Sequence, residues 1–449
     1  MYQKKAAITK GVDWLMVGLY ILLVLIGLLC IFSVEYKAGD KVIQSFLGFK
    51  KNYSKQFFYF LVCGILATFI LLTDSKLFTA TANLSYCAGI LLIIATFFVG
   101  KEIKGSKSWI PLGFINLQPV ELCKIFVSLA LAKYLSQMEV DFRKQRSQLI
   151  AAGLVFAPAI FSIMQGETGL ALVYFAFLIP MYREGLPPVY LVVGAAMGVL
   201  LVISLLFSAK TLIIAFSVIA IAIILLMRNS IFKRNRDLLL IIVSVWLFCS
   251  LFVGVAIPFT FKHIFKGYQS DRIFSMVGVD NPFADKNAVA NDAETKIKEQ
   301  KKKQQDYNVK ESKIAIGSGG FLGQGFLQGT QTQGDFVPEQ HTDFIFTSVG
   351  ENFGFVGSAL LMLLYLGLLF RIVFIAERQR STFSRVYAYS VAAIIFFHVS
   401  VNICVTIGLA PVIGITLPLI SYGGSSLLTF TVLIFILIKL DADRQMVLR

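Results

Sequence analysis

The stretch VDWLMVGLYILLVLIGLLCIFS, residues 12–33, is the first long apolar run of the chain and decides its fold class. A helix needs about 20 apolar residues to cross the ~30 Å hydrocarbon core of a bilayer, and this run has that length. It contains no A-x-A-like cleavage site of the kind that ends a secretory signal peptide. We therefore expect it to be retained as the first transmembrane helix.

The composition of the whole chain agrees with this interpretation. Of its 449 residues, 57% are hydrophobic and 15% are charged, whereas soluble domains carry about 25% charged residues. The mean hydropathy of +0.76 is too high for a polar surface. The formal charge of +15 is explained by basic cytoplasmic loops rather than by nucleic-acid binding. Composition thus excludes soluble and disordered classes and predicts an all-α polytopic membrane protein.

Apolar runs along the chain predict about twelve transmembrane helices, because a membrane-spanning backbone must satisfy its own hydrogen bonds. The predicted spans are 12–33, 57–73, 78–99, 118–136, 148–164, 168–182, 189–207, 210–227, 237–260, 343–374, 385–408 and 418–440. Basic clusters precede the first span and follow the fourth, eighth, tenth and twelfth. An even count places all of them on one side, so we expect both termini in the cytoplasm.

We expect residues 1–449 to form a single integral membrane domain with one large loop, 261–342, on the opposite face. The stretch 285–307 is a charged insert containing KIKEQKKKQQ and lacking hydrophobic periodicity. The segment after it is rich in glycine, which suits tight turns and close backbone contacts. A loop of this length is more often functional than decorative.

Polar residues inside the apolar runs mark candidate sites, because charge in a bilayer is costly. Glu121 and Lys124, in QPVELCKIFVSLALAKYL, have the i, i+3 spacing that puts them on one helix face. Either they form a structural ion pair, or they lie in a polar cavity and position a charged substrate. Glu167 opens the sixth span, where it either caps the helix or contributes to the same site.

Two further groups lie where the chain re-enters the membrane. Glu339, His341 and Asp343 follow the large loop, and Glu351 lies deeper in the next span. The stretch APVIGITLPLISYGGSSL, 410–427, has the proline and glycine content of a broken helix that lines a cavity, the alternative being a plain turn. The isolated His263 and His398 are interpreted as structural. The cysteines and histidines show no zinc spacing, and no metal ligand is predicted.

Five segments together give the chain a family resemblance. They are GSKSWIPLGFINLQPVELCK (105–124), QGETGLALV (165–173), SKIAIGSGGFLGQGFLQGTQT (312–332), FVPEQHTDFIFTSVGENFGFVG (336–357) and APVIGITLPLISYGGSSL (410–427). In these segments the chain resembles the RodA/FtsW/SpoVE (SEDS) family of membrane glycosyltransferases, which polymerise peptidoglycan from lipid II. The segment 312–332 is most similar to the RodA branch, associated with cell elongation and cell shape. A family core of ten helices implies that 210–260 is an added helix pair.

The resemblance implies an inverting transfer of the glycan chain from undecaprenyl diphosphate to the 4-hydroxyl of lipid II. An acidic residue of the outer loop acts in catalysis in the family, and it maps to Asp280, with Asp285 as the runner-up. The family's Asp-Pro step is interrupted here, because Asn281 separates Asp280 from Pro282. A divalent cation, Mg²⁺ or Mn²⁺, would stabilise the leaving diphosphate, but the sequence identifies no site for one.

The remaining implied site residues bind substrate. They are Glu121 and Lys124 in a central cavity, Glu167 in place of the family's aspartate, Glu339, His341 and Asp343 at the return of the loop, and Ser421, Tyr422, Gly423, Gly424 and Ser425 at the cavity floor. The implied partner is a class B penicillin-binding protein, a transpeptidase, and the implied location is the bacterial cytoplasmic (inner) membrane. A lipid II flippase and a non-catalytic scaffold of the elongation machinery are the alternatives.

Overall fold

The computed structural model describes residues 11–37, 39–103, 106–111, 116–227, 236–264, 270, 274 and 307–444. The predicted catalytic residues Asp280 and Asp285, and all but the last residue of the charged insert 285–307, lie outside these described residues.

The described chain is mainly helical, as predicted. In order, its elements are α1 (Trp14–Glu35), α2 (Val42–Leu47), α3 (Asn52–Leu72), α4 (Ser75–Val99), β1 (Lys101–Ile103), β2 (Ser106–Pro111), β3 (Asn116–Leu117), α5 (Pro119–Leu135), α6 (Gln145–Met164), α7 (Thr168–Val173), α8 (Leu178–Arg183), α9 (Pro188–Leu206), α10 (Ala209–Leu226), α11 (Arg236–Leu251), α12 (Ile257–Phe259), α13 (307–318), α14 (Thr330–Gln333), α15 (Ile345–Glu377), α16 (Thr382–Thr406) and α17 (Gly424–Ala442). A 3₁₀ turn, Tyr174–Phe177, joins α7 to α8, and π-helical turns, Phe252–Ala256 and Thr260–Ile264, flank α12.

Each of the twelve predicted spans coincides with helical structure. Ten helices of the described chain are long and apolar enough to cross a membrane. The segment Thr168–Arg183 and the 17-residue α5 are shorter, so twelve crossings stay a prediction. The last span was predicted to begin at 418, but α17 begins at Gly424, and the backbone of 411–423 is not helical.

The chain divides into two compact units. The first comprises Met1–Pro187, Val309–Gly408 and Ile413–Arg449, and the second comprises Pro188–Asn308 and Leu409–Val412. The single membrane domain over 1–449 therefore stays a prediction.

The core of the first unit lies around α5, α16 and α17, which contact one another. In α16 and α17, 67% and 78% of the most apolar window is buried, against 22–39% in the other candidate spans of this unit. These two helices are therefore central, and the outer helices leave apolar faces uncovered, as lipid contact requires. In the second unit only 6% of each window is buried. There α10 packs on α11, and the Trp246 indole N–H donates to Ser217 Oγ at 3.1 Å.

A small antiparallel sheet precedes α5, which the sequence patterns did not predict. Its strand order is β1–β2–β3, with Lys101 opposite Trp109 and Ile110 opposite Leu117. The buried Ser108 of β2 belongs to the site described below.

Helix α15 is broken near its start by Gly354, whose φ of +62° and ψ of −157° are not helical. Only glycine adopts this backbone conformation readily. Four backbone hydrogen bonds join the break to the preceding loop: Gln324 N to Glu351 O (2.9 Å), Gly325 N to Asn352 O (3.0 Å), Phe355 N to Gly320 O (3.0 Å) and Val356 N to Phe321 O (3.1 Å). The loop thus supplies the partners that the interrupted helix lacks.

The fully buried Glu351 fastens the next part of the same segment. Its two carboxylate oxygens accept backbone hydrogen bonds from Gln331 N at 2.7 Å and Thr332 N at 2.9 Å, in the first turn of α14. A Cβ at Gly329 would lie 2.6 Å from Glu351 Oε2. The sequence singled out Glu351 as more than surface charge, and the structure gives it this anchoring role.

A charged cluster ties α1 to α15 and α17. The Asp13 carboxylate, which also caps α1 through Met16 N, lies 2.6 Å from Arg371 Nη2 and 3.1 Å from Arg378 Nη2. Arg378 Nε also donates to Asp441 Oδ1 at 2.9 Å. Burial raises the pKa of Asp13, but the hydrogen bonds from Arg371 and Met16 and the charges of both arginines outweigh it and bring that pKa below its ordinary value.

Candidate active site

The predicted pair on α5 forms in the structure. Pro119 occupies the first helical position, where its missing N–H costs nothing, and Glu121 lies in the first turn, where the helix dipole favours a carboxylate. One turn later, Lys124 Nζ lies 3.1 Å from Glu121 Oε2, and both side chains are buried. The ammonium also lies 5.3 Å from the centre of the Phe430 ring on α17. The i, i+3 spacing therefore placed this pair correctly.

His398 joins the pair from α16, which the sequence did not reveal. Its Nε2 lies 2.9 Å from Lys124 Nζ, and its Nδ1 lies 3.1 Å from the Thr416 carbonyl oxygen. Thr416 Oγ1 in turn lies 3.0 Å from Ser426 Oγ. The interpretation of His398 as an isolated structural residue was thus wrong about its surroundings. No local pattern signals the contact of His398 with Lys124, because the two residues are 274 positions apart.

Glu167 lies at the start of α7, but its carboxylate points to the sheet and to α5. Its Oε1 accepts hydrogen bonds from Ser108 Oγ at 2.7 Å and from Gln118 Nε2 at 3.3 Å. Glu167 occupies the N-cap position of α7, as the capping alternative expects, but among the described residues its side chain makes no capping hydrogen bond there. Gln118 continues the network, because its backbone N–H donates to Ser425 Oγ at 3.2 Å.

The non-helical segment before α17 is held by hydrogen bonds from other elements. Ser421 Oγ donates to the Thr342 carbonyl at 2.7 Å and accepts from Leu417 N at 2.8 Å. Gln56 of α3 spans the next turn, since its amide accepts from Gly423 N at 3.1 Å and donates to the Ser421 carbonyl at 3.4 Å. A plain turn at the surface would not need such partners, so the predicted broken helix is the better description.

Aromatic rings surround Tyr422 in this segment. The Tyr422 ring centre lies 6.4 Å from that of Tyr59 and 5.8 Å from that of His341. Gly424 leaves room for Tyr59, because a Cβ there would lie 3.0 Å from its ring. Burial, followed by the neighbouring Tyr59, raises the pKa of Tyr422, so its hydroxyl stays neutral at physiological pH.

The turn 339–343 packs against the same segment. Tyr422 N donates to the His341 carbonyl at 2.8 Å. Asn402 Nδ2 on α16 donates to the Asp343 carbonyl at 2.8 Å and to the Ile415 carbonyl at 2.7 Å. Glu339, at a φ of +55°, accepts from Thr342 Oγ1 at 3.0 Å. The predicted residues of the loop return and of the broken segment therefore lie together.

The site has an inner and an outer part. The inner part, Glu121, Lys124 and His398, holds a buried ammonium that can stabilise an anion. The outer part consists of the turn 339–343 with Ser421, Tyr422 and Gln56. Its hydroxyl, amide and aromatic groups suit a sugar with many hydroxyls. Within the described part of the chain, no group of three or more His, Cys, Asp or Glu could hold a metal ion. Asp280 and Asp285 lie outside the described residues, and their position relative to this site stays a prediction.

Comparisons with known proteins agree with one another. The family model FTSW_RODA_SPOVE, described as a cell cycle protein, matches residues 13–236 and 218–446. Peptidoglycan glycosyltransferase MrdB of Escherichia coli is 29% identical over 372 residues, covering 83% of this chain and 80% of the relative. MrdB of Helicobacter pylori is 31% identical, covering 80% and 75%. Peptidoglycan glycosyltransferase RodA of Treponema pallidum is 28% identical, covering 96% and 97%.

Solved structures match along nearly the whole chain. A chain from work on "structural coordination of polymerization and crosslinking by a peptidoglycan synthase complex" has a TM-score of 0.66 at 24% identity, covering 96% of this chain and 98% of that one. The rod shape determining protein RodA of Thermus thermophilus has a TM-score of 0.57 at 22% identity, covering 96% and 97%. At these identities the two likenesses show a shared fold.

Proposed function

Because this chain belongs to the FtsW/RodA/SpoVE family of cell cycle proteins, we propose that it polymerises lipid II into glycan strands during cell elongation. The chain is an integral membrane protein and a peptidoglycan glycosyltransferase, the activity for which relatives along most of its length are named. Lipid II as the substrate and elongation as the process are the proposed parts.

The main support for this proposal is that segments far apart in the sequence come together at one site. Ser108 and Gln118, Glu167, and Ser425 come from three different segments, and hydrogen bonds join them into one network. Lys124 lies on the helix that follows Gln118. A buried ammonium beside a layer of hydroxyl and amide groups suits a substrate with a diphosphate next to sugars.

The proposed reaction is a single inverting displacement. Asp280 accepts the proton of the 4-hydroxyl of the incoming lipid II as its oxygen attacks the anomeric carbon of the growing chain. The bond from that carbon to the diphosphate oxygen breaks, and undecaprenyl diphosphate leaves with the electron pair. Lys124 stabilises the charge that develops on this leaving group. Asp285 is the alternative base.

The outer residues bind the sugars in this scheme. Glu167, Glu339 and Asp343 supply carboxylates that can accept hydrogen bonds from sugar hydroxyls, and Tyr422 and Ser421 border the same region. Among the described residues, no group of three or more His, Cys, Asp or Glu could hold Mg²⁺ or Mn²⁺, and the role of a divalent cation at the diphosphate stays a prediction.

We propose the bacterial cytoplasmic membrane as the location, with both termini in the cytoplasm, because an even number of crossings would place the basic clusters on one side. We propose a class B penicillin-binding protein, a transpeptidase, as the partner. A structural relative comes from work on a peptidoglycan synthase complex, which supports a partnership of this kind.

The test is polymerisation by the purified protein on fluorescent lipid II, resolved on a gel, with and without the transpeptidase. Removing a general base lowers rates by about 10²–10⁴-fold, so Asp280→Asn should lose polymer formation. Asp292→Asn, within the adjoining insert 285–307, is the matched control and should remain active. Full activity of both Asp280→Asn and Asp285→Asn would refute the assigned base. Movement of lipid II across liposomes without polymer would favour the flippase.

A further inference from the structure

Lys124 forms an ion pair with Glu121 and a hydrogen bond with His398, and these two contacts leave one of its donors open. An ammonium carries three N–H groups. Within the described residues, one faces Glu121 Oε2 at 3.1 Å and a second faces His398 Nε2 at 2.9 Å. The carboxylate and the imidazole lie on different helices, α5 and α16. Two fixed acceptors on separate helices restrict where the third N–H can point.

The geometry around His398 determines which of its nitrogens carries hydrogen. Nδ1 lies 3.1 Å from the Thr416 carbonyl oxygen, which can only accept, so Nδ1 must donate. Nε2 faces an ammonium, which can only donate, so Nε2 must accept. A second proton on the ring would also place two cations 2.9 Å apart in a buried site. His398 is therefore neutral, with hydrogen on Nδ1 alone.

The surroundings of the ring fix its orientation. The imidazole is fully buried and meets the Phe430 ring edge to face, with centres 5.1 Å apart at 89°. Lys124 lies over the same Phe430 ring. One turn further along α16, Asn402 binds the Ile415 carbonyl at 2.7 Å, next to the Thr416 carbonyl that His398 binds. Helix α16 thus holds two successive carbonyls of the non-helical segment.

We propose that His398 is a positioning residue that directs the free N–H of Lys124 toward the diphosphate of the lipid-linked substrate. This role rests on the proposed function of the site. The neutral imidazole acts as an acceptor that orients the ammonium without competing for the anion. It also links Lys124 to the segment 413–423, which carries Ser421 and Tyr422 of the outer part.

Two substitutions separate the acceptor from the bulk of the ring. His398→Leu removes the acceptor, whereas His398→Gln keeps an oxygen that can accept from Lys124. A misplacement of about 1 Å can cost roughly 100-fold in rate, so we expect His398→Leu to lower kcat by about that factor. His398→Gln should recover most of the activity. A ring that only fills space would lose comparable activity in both variants.

Nitrogen NMR of the protein with ¹⁵N-labelled histidine tests the contact without substrate. The chain has three histidines, and the His398→Gln variant identifies the His398 signals by their loss. We expect a neutral ring protonated on Nδ1, and we expect Lys124→Met to shift the Nε2 signal while the other histidines keep theirs. A doubly protonated ring, hydrogen on Nε2, or no response to Lys124→Met would overturn the positioning role.

A binding cycle with undecaprenyl diphosphate as the probe completes the test. A hydrogen bond to a charged group corresponds to roughly 10- to 100-fold in affinity, so Lys124→Met should weaken binding by that factor. His398→Leu should weaken binding by about 10-fold alone and by less than about twofold in the Lys124→Met background. Losses that simply add would overturn the role. If wild-type protein binds the probe but does not polymerise lipid II, the proposed function fails while this inference stands.

Discussion

Removing Lys124 alone and removing it together with Glu121 should have different effects on stability. The side chains are 0% and 4% exposed, and their charged atoms are 3.1 Å apart. Removing one partner of a buried pair leaves an uncompensated charge, which costs about 3–5 kcal/mol. Replacing both partners by apolar residues of similar size is often neutral or stabilising. We therefore expect Lys124→Met to lower the free energy of unfolding by about 4 kcal/mol, and Lys124→Met with Glu121→Leu to restore it.

The double variant should keep its stability but lose its activity. It lacks the ammonium that we propose to stabilise the leaving diphosphate, so we expect it to be folded but unable to polymerise lipid II. This outcome distinguishes a substrate-binding pair from a structural ion pair, the two alternatives that the sequence left open. Lys133→Met is the matched control, because Lys133 lies on the same helix in a partly exposed position, where its Nζ donates to the Ala80 carbonyl at 3.3 Å.

The assay combines equilibrium unfolding in mixed micelles with gel analysis of polymerisation. Tryptophan fluorescence reports the unfolding, since the chain has three tryptophans. If the double variant polymerised at the wild-type rate, the pair would be structural only. If Lys124→Met were as stable as the wild type, the charge of Glu121 would not be desolvated as its burial indicates.

Two further predictions concern residues outside the site. Asp13 has a lowered pKa in the folded protein, so its carboxylate stabilises the fold above its unfolded pKa of about 3.9, and this stabilisation is lost as pH falls through the folded pKa. Between pH 6 and pH 2, the free energy of unfolding should therefore fall less steeply in Asp13→Asn than in the wild type. Equal slopes would contradict the role of Arg371. A Cβ at Gly169 would lie 2.0 Å from the Ile413 carbonyl oxygen, whereas nothing lies within 4 Å of a Cβ at Gly153. Gly169→Ala should therefore lower the thermal unfolding temperature, and the control Gly153→Ala should not. Equal unfolding temperatures for both variants would contradict this packing.

The parts of the site that sequence could predict are those with local patterns. Glu121 and Lys124 are three residues apart, and helix geometry alone places them together. The fold class followed from apolar runs of bilayer length, which the ten long apolar helices of the described chain match. The function followed from segments whose family membership the whole-chain match confirms.

Other parts depended on contacts between residues far apart in the chain. His398 is 274 positions from Lys124, so nothing beside it in the sequence identifies its partner. The segment 418–423 is apolar enough to extend the last span, but its backbone is held instead by side chains such as Gln56. The strands of the small sheet are two to six residues long, too short for a clear alternating pattern.

The assignment of the catalytic residue rests on the family resemblance alone. Asp280 is one residue out of register with the family's Asp-Pro step, and no periodicity or spacing in this part of the chain distinguishes it from Asp285. The choice between them rests on the substitution experiment, since both lie beyond the residues that the structure describes.

The break at Gly354 has a mechanical consequence for the enzyme. The backbone bonds between 320–325 and 351–356 mean that neither stretch can shift alone without losing them, at about 1 kcal/mol for each bond. The first turns of α15 follow directly after Asp343, at the edge of the outer part. A displacement of 320–325 therefore moves the start of α15 with it, and the turn 339–343, which precedes α15 and accepts from Tyr422 N, shifts along the same path.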